Sequence, residues 1–531
     1  IGRTTFKGRY NDPSWLGDAL GGDWENKKAR FQDYSLVSTW QLKELGRLKF
    51  FSTYGTSQYH SEGQKDSTIW AMDSDQQNLD FHSTTSISGV SYKINDKSHS
   101  FSSTFLYATQ HKKQSATFVK ELTKLPFQQD SSAHERLAFK LKYAQKNKFK
   151  IQFNGAYLTD KLHNFDAITN QQTIGTQAVW LLQPSMSYQT VFNTKKVLNE
   201  YGDPQKVYLN IGIRGNYFST NQTYSIEPTI RISNKFSYIL KWNWALSYSL
   251  QSQLQTPDIY LSQNEQGDYL NRDLDFSKAH HFNFQLGANY KEMRFSIDLY
   301  RQQLFNIPII DKENAHFSVI NQDYTFIIDP LTNTGSGLQQ GIELNSGHHF
   351  IFKNYRNREK GRFSTHLNTT FYQSKYTAGD GVQRNTRFNG GHITQLVIGP
   401  KWNFITYNYF FDGSSLNKLG FHFKIIYGGG LKETPIDLLT SQQLGRTIYE
   451  LNNPYSLSQN DFFRIDANIY WTIQFVDKSR YKKLTSTLSF NIQNLTNQEN
   501  LAFQYFDTVQ NDVVPIYQLG MMPYLSWRIE F

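Results

Sequence analysis

The sequence has no cysteine and no long apolar run, and its average hydrophobicity is low. Without cysteine the chain can form no disulfide framework, no thiolate zinc site and no cysteine nucleophile, which suits passage through an oxidising periplasm. No stretch of 18 apolar residues occurs, so a membrane-spanning helix is excluded and any membrane crossing must use strands. The apolar fraction is 38% and the mean hydropathy is −0.59.

The positive net charge does not indicate nucleic-acid binding. The formal net charge is +10, but lysine and arginine are spread along strands and short turns instead of clustering on one helix or stripe. No secretory leader is found at Ile1. We therefore expect a leader, or a leader and further parts of the protein, to precede Ile1.

Aromatic residues are abundant in spite of the low hydropathy. Phe, Tyr and Trp make up 16% of the chain, with 40 Phe and 33 Tyr. A transmembrane β-barrel needs this combination, because a lipid-facing band and two aromatic girdles surround a polar lumen. The composition therefore favours an outer-membrane barrel.

The C-terminal segment shows the two-residue period of a strand with one apolar face. Leu519, Met521, Pro523, Leu525, Trp527, Ile529 and Phe531 alternate with mostly polar residues. The same alternation recurs in 207–214, 293–300, 463–473 and 484–493. A charged side chain that faces lipid costs roughly 2–4 kcal/mol at mid-membrane, whereas one that faces water costs little. The charged phase is therefore predicted to form a lumenal polar wall that includes Arg214, Arg294, Asp298, Arg464 and Asp466.

Counting such segments predicts about 20 antiparallel strands in a single barrel domain that occupies residues 1–531. Compact connections, such as 43–46, 95–97, 145–148, 233–235 and 291–292, alternate with long polar ones. Short turns are typical of the periplasmic side and long loops of the outside. A soluble propeller or a tandem of sandwiches is the alternative, but neither blade repeats nor linkers are found.

From about Ser249 to the end, the chain resembles the barrel of TonB-dependent outer-membrane receptors, specifically the Bacteroidetes type that carries a carboxypeptidase-regulatory-like domain before its plug. Each motif is weak alone, but their order and spacing make the set specific. The resembling stretches are 255–263 (QTPDIYLSQ), 277–281 (SKAHH), 300–308 (YRQQLFNIP), 333–343 (NTGSGLQQGIE), 380–391 (DGVQRNTRFNGG), 428–438 (GGGLKETPIDL), 491–497 (NIQNLTN) and 527–531.

This resemblance implies a 22-stranded barrel, a plug and an N-terminal domain, of which only the barrel is found in this sequence. We therefore expect the chain to be a barrel portion that begins at about the third strand and lacks the plug. The resemblance also implies outer-membrane lipids, the missing plug, the TonB complex and a surface lipoprotein as partners. A complete barrel without a plug is the alternative.

The segment 380–391 is the first candidate ligand site. Arg384, Asn385, Arg387 and Asn389 offer hydrogen-bond donors for a polar ligand, in a loop predicted to lie outside the membrane. The alternative is that the loop folds back and packs on the rim or the plug.

The loop 306–338 is the second candidate. Asp323, Tyr324 and Phe326 place aromatic rings beside a carboxylate, which suits sugars or peptides but also suits a loop that packs on itself.

Neither catalysis nor metal binding is indicated, and no cofactor is expected. The chain has no GxSxG, HExxH or phosphate-binding loop motif. The pairs His280–His281 and His348–His349 are adjacent in predicted strands, so their side chains point to opposite faces and cannot share a metal ion.

The sequence therefore predicts TonB-dependent import of a nutrient across the outer membrane of a Gram-negative cell. A passive large-pore porin and a surface receptor or scaffold subunit are the alternatives. A siderophore, cobalamin, a glycan and a peptide all remain open as ligands.

Overall fold

A computed structural model describes most of the chain as β-structure. The described residues are 2–12, 27–119, 126–145, 148–166, 171–193, 206–237, 240–264, 266–310, 312, 315–322, 329–353, 355, 359–408, 413–476 and 483–530. Statements about the fold concern these residues.

The strands, numbered in chain order, are β1 Gly2–Asn11, β2 Lys27–Gln41, β3 Arg47–Ser61, β4 Gln77–Asn95, β5 His99–Phe118, β6 Gln128–Gln145, β7 Phe149–Asp166, β8 Gln171–Asn193, β9 Lys206–Phe218, β10 Thr223–Ser237, β11 Lys241–Gln253, β12 Ser277–Tyr290, β13 Met293–Ile310, β14 Leu331–Lys353, β15 Glu359–Thr377, β16 Gln383–Asn385, β17 His392–Asn408, β18 Gly413–Gly428, β19 Lys432–Glu433, β20 Leu457–Ser458, β21 Phe462–Val476, β22 Lys483–Gln493, β23 Leu501–Asp507, β24 Asp512–Tyr517 and β25 Met522–Glu530.

Helical structure is confined to the connections. Two short α-helices span Pro257–Tyr260 and Leu438–Leu444, and 3-10 turns span Lys43–Leu45, Ser67–Ile69, Asp73–Gln76 and Val319–Asn321. In the described part of the chain, no helix has the length and apolar character needed to cross a membrane.

One antiparallel sheet of 21 strands contains nearly all of the strand residues. Setting aside β16, which has three residues, leaves 20 long strands, as the alternation predicts. Successive long strands pair with each other, β15 with β17, β18 with β21 and β22 with β25. The predicted fold, a transmembrane antiparallel β-barrel, is confirmed.

The two ends of this sheet do not pair with each other within the described residues. There, β1 pairs with β2 alone, and β25 pairs with β22 alone. The expectation that further strands and a plug complete the barrel stays a prediction.

The two faces of the sheet differ as the charge phase predicts. Outward positions are apolar and exposed: Leu488 on β22 lies opposite Trp527 on β25, and these side chains are 44% and 69% exposed. Inward positions on the same strands are polar, as with Thr487 opposite Arg528. Exposed apolar side chains on one face need a lipid environment, so the barrel belongs in a membrane.

Connection lengths alternate along the meander, with one difference from prediction. The segment 233–235 lies inside β10, and the turn to β11 follows residue 237. Ser233 and Lys235 are polar because they point to the inner face, opposite Ala245 and Asn243 of β11. Their polarity therefore marks the lumen and not a turn.

Candidate functional site

Six of the long connections at one end of the barrel contact one another in the described part of the chain, and we name this end the outer end because long loops are extracellular in this fold. We call them the outer loops; their described residues fall within 62–76, 254–276, 311–330, 378–391, 429–461 and 494–521.

The loop 254–276 lies against the inner wall of the barrel. Gly175 and Val179 occupy inward positions of β8, and Val179 is buried in a cluster with Ile259 and Tyr260. A Cβ on Gly175 would come within 2.8 Å of Leu261 Cβ, so glycine permits the close approach. The loop therefore covers the inner wall instead of standing in solvent.

A buried asparagine joins this loop to the next one. Asn271 Nδ2 donates to the carbonyl oxygen of Asp329 at 3.2 Å, and Asn271 Oδ1 accepts from the Leu331 amide at 2.8 Å. Gln322 Nε2 also donates to Asp258 Oδ2 at 2.9 Å. These contacts join the loop 254–276 to the loop 311–330 and to the first residue of β14, so they hold the two loops together.

The third loop contains the first candidate ligand site, and its arginine already has a partner inside the loop. Arg384 Nη1 and Nη2 donate to the two carboxylate oxygens of Asp380 at 2.9 and 2.5 Å. His316 Nδ1 lies 3.2 Å from Asp380 Oδ2. The Arg384 hydrogen bonds lower the pKa of Asp380 to about 2, even though burial acts in the opposite direction.

The other candidate residues of this loop also have partners within the protein. Asn389 Nδ2 donates to Asn385 Oδ1 at 2.8 Å, and Asn389 Oδ1 accepts from the Ser374 amide at 2.9 Å. The Arg387 amide donates to Asn321 Oδ1 at 2.9 Å, and the Arg387 carbonyl accepts from the Lys432 amide at 2.8 Å. This geometry favours the packed-loop alternative, and ligand contact by these residues stays a prediction.

Of the second candidate set, Asp323, Tyr324 and Phe326 all lie outside the described residues.

The hairpin of β23 and β24, which is part of the last outer loop, contacts both the loop 62–76 and the loop 429–461. Asp507 Oδ2 accepts from the Asp73 amide at 2.8 Å, and Thr508 donates to the Asp73 carboxylate through its amide at 3.1 Å. On its other side, the Phe506 amide donates to Thr447 Oγ1 at 3.0 Å. The six outer loops are thus connected in series, from 254–276 through 311–330, 378–391, 429–461 and 494–521 to 62–76.

Among the predicted lumenal residues, Arg214 has the most extensive network. It lies directly opposite Glu227 across β9 and β10, and its Nε donates to Glu227 Oε2 at 2.5 Å. Asn216 and Ser252 also donate to Glu227, whose side chain is 2% exposed. The sequence pattern did not single out Glu227, although the short turn between these strands makes the two positions symmetric about it.

The remaining lumenal residues fall into two separate regions. Arg464 Nη2 donates to Asp466 Oδ2 at 3.1 Å on β21. Asp298 on β13 lies opposite Glu343 on β14 instead, and Arg294 lies opposite Gly347. Four strands separate β13 from β21 in the sheet, so Asp298 and Asp466 do not act together. In the described part of the chain, no three acidic or histidine side chains form a candidate metal site.

No protein-family model matches the chain, and no curated protein matches it in sequence. Solved structures do match. The outer membrane transporter YddB from Escherichia coli superposes with a TM-score of 0.59 at 10% identity, over 99% of this chain and 75% of YddB. BauA, the ferric preacinetobactin receptor from Acinetobacter baumannii, gives 0.57 at 11% identity, over 100% of this chain and 75% of BauA. The RagAB peptide transporter gives 0.50 at 11% identity, over 88% and 68%. At these identities the likeness shows the fold, which is the β-barrel of outer-membrane transporters and receptors.

Proposed function

We propose that the chain forms the barrel of an active importer in the outer membrane of a Gram-negative cell, energised through TonB. The observation that carries this proposal is the series of connected outer loops above a polar inner wall. A passive pore needs an open mouth, whereas a receptor needs loops held in fixed positions around a bound ligand.

The inner wall supports the same function. Polar and charged side chains, among them the Arg214–Glu227 pair, line a lumen too wide to be filled by the wall's own side chains. We propose that a plug occupies that lumen and receives the pull of TonB. The barrel breaks no bond of its cargo; it supplies the binding surface and the passage.

The proposal includes a nutrient ligand without naming one compound. The structures with this fold include proteins whose names specify ferric preacinetobactin and peptides. The loop 378–391, which carries Arg384, Asn385 and Asn389, and the loop 311–330 are the outer loops that we propose face the ligand. We also propose that the chain is of the Bacteroidetes type of these receptors and that a surface lipoprotein covers its mouth.

Conductance in planar bilayers tests the proposal against a passive porin. The full-length protein should stay closed at rest and open only after denaturant loosens its plug. A large, steady conductance without denaturant would contradict active transport and favour a passive porin.

A further inference from the structure

Seven basic side chains lie on the inner wall of β1 to β7, close to the short turns that mark the periplasmic end of the barrel. Along β4, β6 and β7 they alternate with Val90, Leu141 and Ile151, which are exposed apolar side chains of the lipid-facing surface. We call the seven residues the lumenal basic strip; they are Arg3, Arg47, Lys49, Lys93, Lys140, Lys142 and Lys150.

Strand register places the strip in three neighbouring rows. The upper row contains Arg3, Lys49 and Lys140, the middle row contains Arg47, Lys93 and Lys142, and the lowest row contains Lys150. Within the middle row Arg47 pairs directly with Lys93, and one strand separates Lys93 from Lys142. Because adjacent strands are about 4.8 Å apart, the strip extends for about 29 Å around the inner wall.

No carboxylate of the described residues forms an ion pair with the strip. The nearest inward acids on the same strands are Asp33 and Asp160, which lie six residues above the upper row, or about 20 Å along the strand. Both have basic partners of their own, Arg9 Nε at 2.6 Å and His134 Nδ1 at 2.7 Å. Since charges more than about 8 Å apart in water are largely screened at physiological salt, the strip keeps its positive charge.

A cavity of about 250 Å³ lies beside the middle row, at the turn between β2 and β3. Its lining includes three basic side chains, two amide side chains and one acid, namely Lys43, Arg47, Lys93, Gln41, Asn95 and Glu44. The acid of the neighbouring turn, Asp96, accepts from the Ser98 and His99 amides at 2.7 and 2.5 Å. Cations and amide donors around one cavity are the groups that bind a carboxylate or a phosphate.

The unpaired charge distinguishes the strip from other parts of the inner wall. Arg214 pairs with Glu227, and Arg464 pairs with Asp466. In the strip, five of the seven side chains are exposed, and only Lys49 and Lys142 are half-buried. Unpaired groups of one sign on the wall of a lumen attract mobile ions of the opposite sign.

We propose that the lumenal basic strip lines the exit path of the cargo, and that the cargo is a solute with several carboxylate or phosphate groups. Passage requires contacts that are weak one by one and close to the next, and the rows offer basic groups about 5–10 Å apart. A plug held by seven ion pairs would resist the movement that transport needs, whereas a solute meets these groups a few at a time. This inference rests on the proposed import function and adds the charge of the cargo to it.

Equilibrium dialysis of the full-length protein in an uncharged detergent tests the proposal, with urea present to loosen the plug. The probes are labelled inositol hexakisphosphate and hexaglutamate, and uncharged inositol is their control. At least one polyanion should bind, and inositol should not. The polyanion that binds more tightly shows whether the wall prefers phosphate or carboxylate.

Lys93→Glu/Lys142→Glu should weaken this binding at least tenfold, since two charges that attract the anion become repulsive. The matched control is Lys113→Glu/Lys161→Glu, which makes the same charge change on the outward face of β5 and β7 and should leave binding unchanged. Lys93→Gln/Lys142→Gln serves if charge reversal prevents folding, which heat-modifiable gel migration would reveal.

Absence of binding by both polyanions, or equal loss in the lumenal and outward variants, would overturn the proposal. So would a Lys93→Glu/Lys142→Glu protein that conducts in planar bilayers without denaturant while the wild-type protein stays closed, because the strip would then hold the plug. Steady conductance of the wild-type protein would contradict active import, whereas a closed wild-type protein that binds neither polyanion would contradict the role of the strip alone.

Discussion

The backbone amide of Asp73 donates to the Asp507 carboxylate at 2.8 Å, although the two residues are 434 positions apart in the sequence. Asp507 also accepts from the Tyr505 hydroxyl at 2.7 Å and from the Val509 and Gln510 amides at 2.9 and 3.0 Å. One buried carboxylate therefore fixes the hairpin and attaches it to the loop 62–76.

Asp507→Ala should release this attachment. It leaves several donors without an acceptor, each costing about 1–3 kcal/mol where water cannot replace the bond. Hydrogen exchange measured by mass spectrometry should become faster in 62–76 and 501–517. Asp512→Ala is the matched control, because Asp512 is exposed and its carboxylate accepts from the neighbouring Val513 amide. Equal exchange in the two variants would contradict the role given to Asp507.

Breaking the Asp380–Arg384 pair should loosen the loop 378–391. The side chains of Asp380 and Arg384 are 9% and 15% exposed, so Arg384→Met removes the arginine partner of a nearly buried carboxylate and should cost about 3 kcal/mol of local stability. Limited proteolysis of the loop is the measurement. Arg446→Met, at an exposed arginine of another outer loop, should leave cleavage unchanged. If Arg384→Met reduced ligand affinity with the loop still protected, Arg384 would contact the ligand directly.

The same pair predicts the pH dependence of this loop. The Arg384 hydrogen bonds hold the folded pKa of Asp380 at about 2, below the value of about 3.9 for an unfolded chain. A lowered pKa contributes stability above the unfolded value that is lost as the pH falls through the folded value. Protection of 378–391 should therefore stay constant from pH 5 to pH 8 and decline between about pH 4 and pH 2, and a decline above pH 5 would contradict the role given to this pair.

Gly175→Ala should displace the loop 254–276 from the inner wall. The new methyl group would lie 2.8 Å from Leu261 Cβ and 2.9 Å from its carbonyl oxygen, too close for either to remain in place. Exchange in 254–276 should rise. Gly212→Ala is the control, because its Cβ would meet its nearest neighbour at an ordinary 3.4 Å. An unchanged loop in Gly175→Ala would show that the contact with the wall is not close.

Two inward glutamates should respond oppositely to removal of charge. Glu227→Gln weakens the network with Arg214 and should cost about 2 kcal/mol. Glu343→Gln removes repulsion from Asp298 directly opposite and should be neutral or stabilising by up to about 1 kcal/mol. Thermal unfolding of the detergent-solubilised barrel compares the two variants, and equal destabilisation would contradict the surroundings assigned to them.

The strands and their two faces could be predicted from the sequence, because the position of a side chain in the two-residue period decides whether it faces lipid or the lumen. That choice does not depend on which distant residues it meets. It placed Arg214 and Asp298 in the charged phase, but their partners depend on register, which for Arg214 follows from the turn after Phe218. It could not show that Asp507 reaches Asp73, because that contact arises only when distant loops meet. It also could not show that Arg384 turns back to Asp380 within its own loop, because the conformation of a loop leaves no periodic pattern in the sequence. The turn expected at 233–235 was wrong because lumenal polarity and turn polarity look alike in one sequence.

The energy dependence of uptake tests the central claim most directly. Cells of the native host and a strain lacking this protein would be compared for the solutes that each removes from the medium, with and without a protonophore. An active importer predicts at least one solute whose removal requires both the protein and the proton-motive force. A solute whose removal requires the protein and continues unchanged with the protonophore would contradict active import.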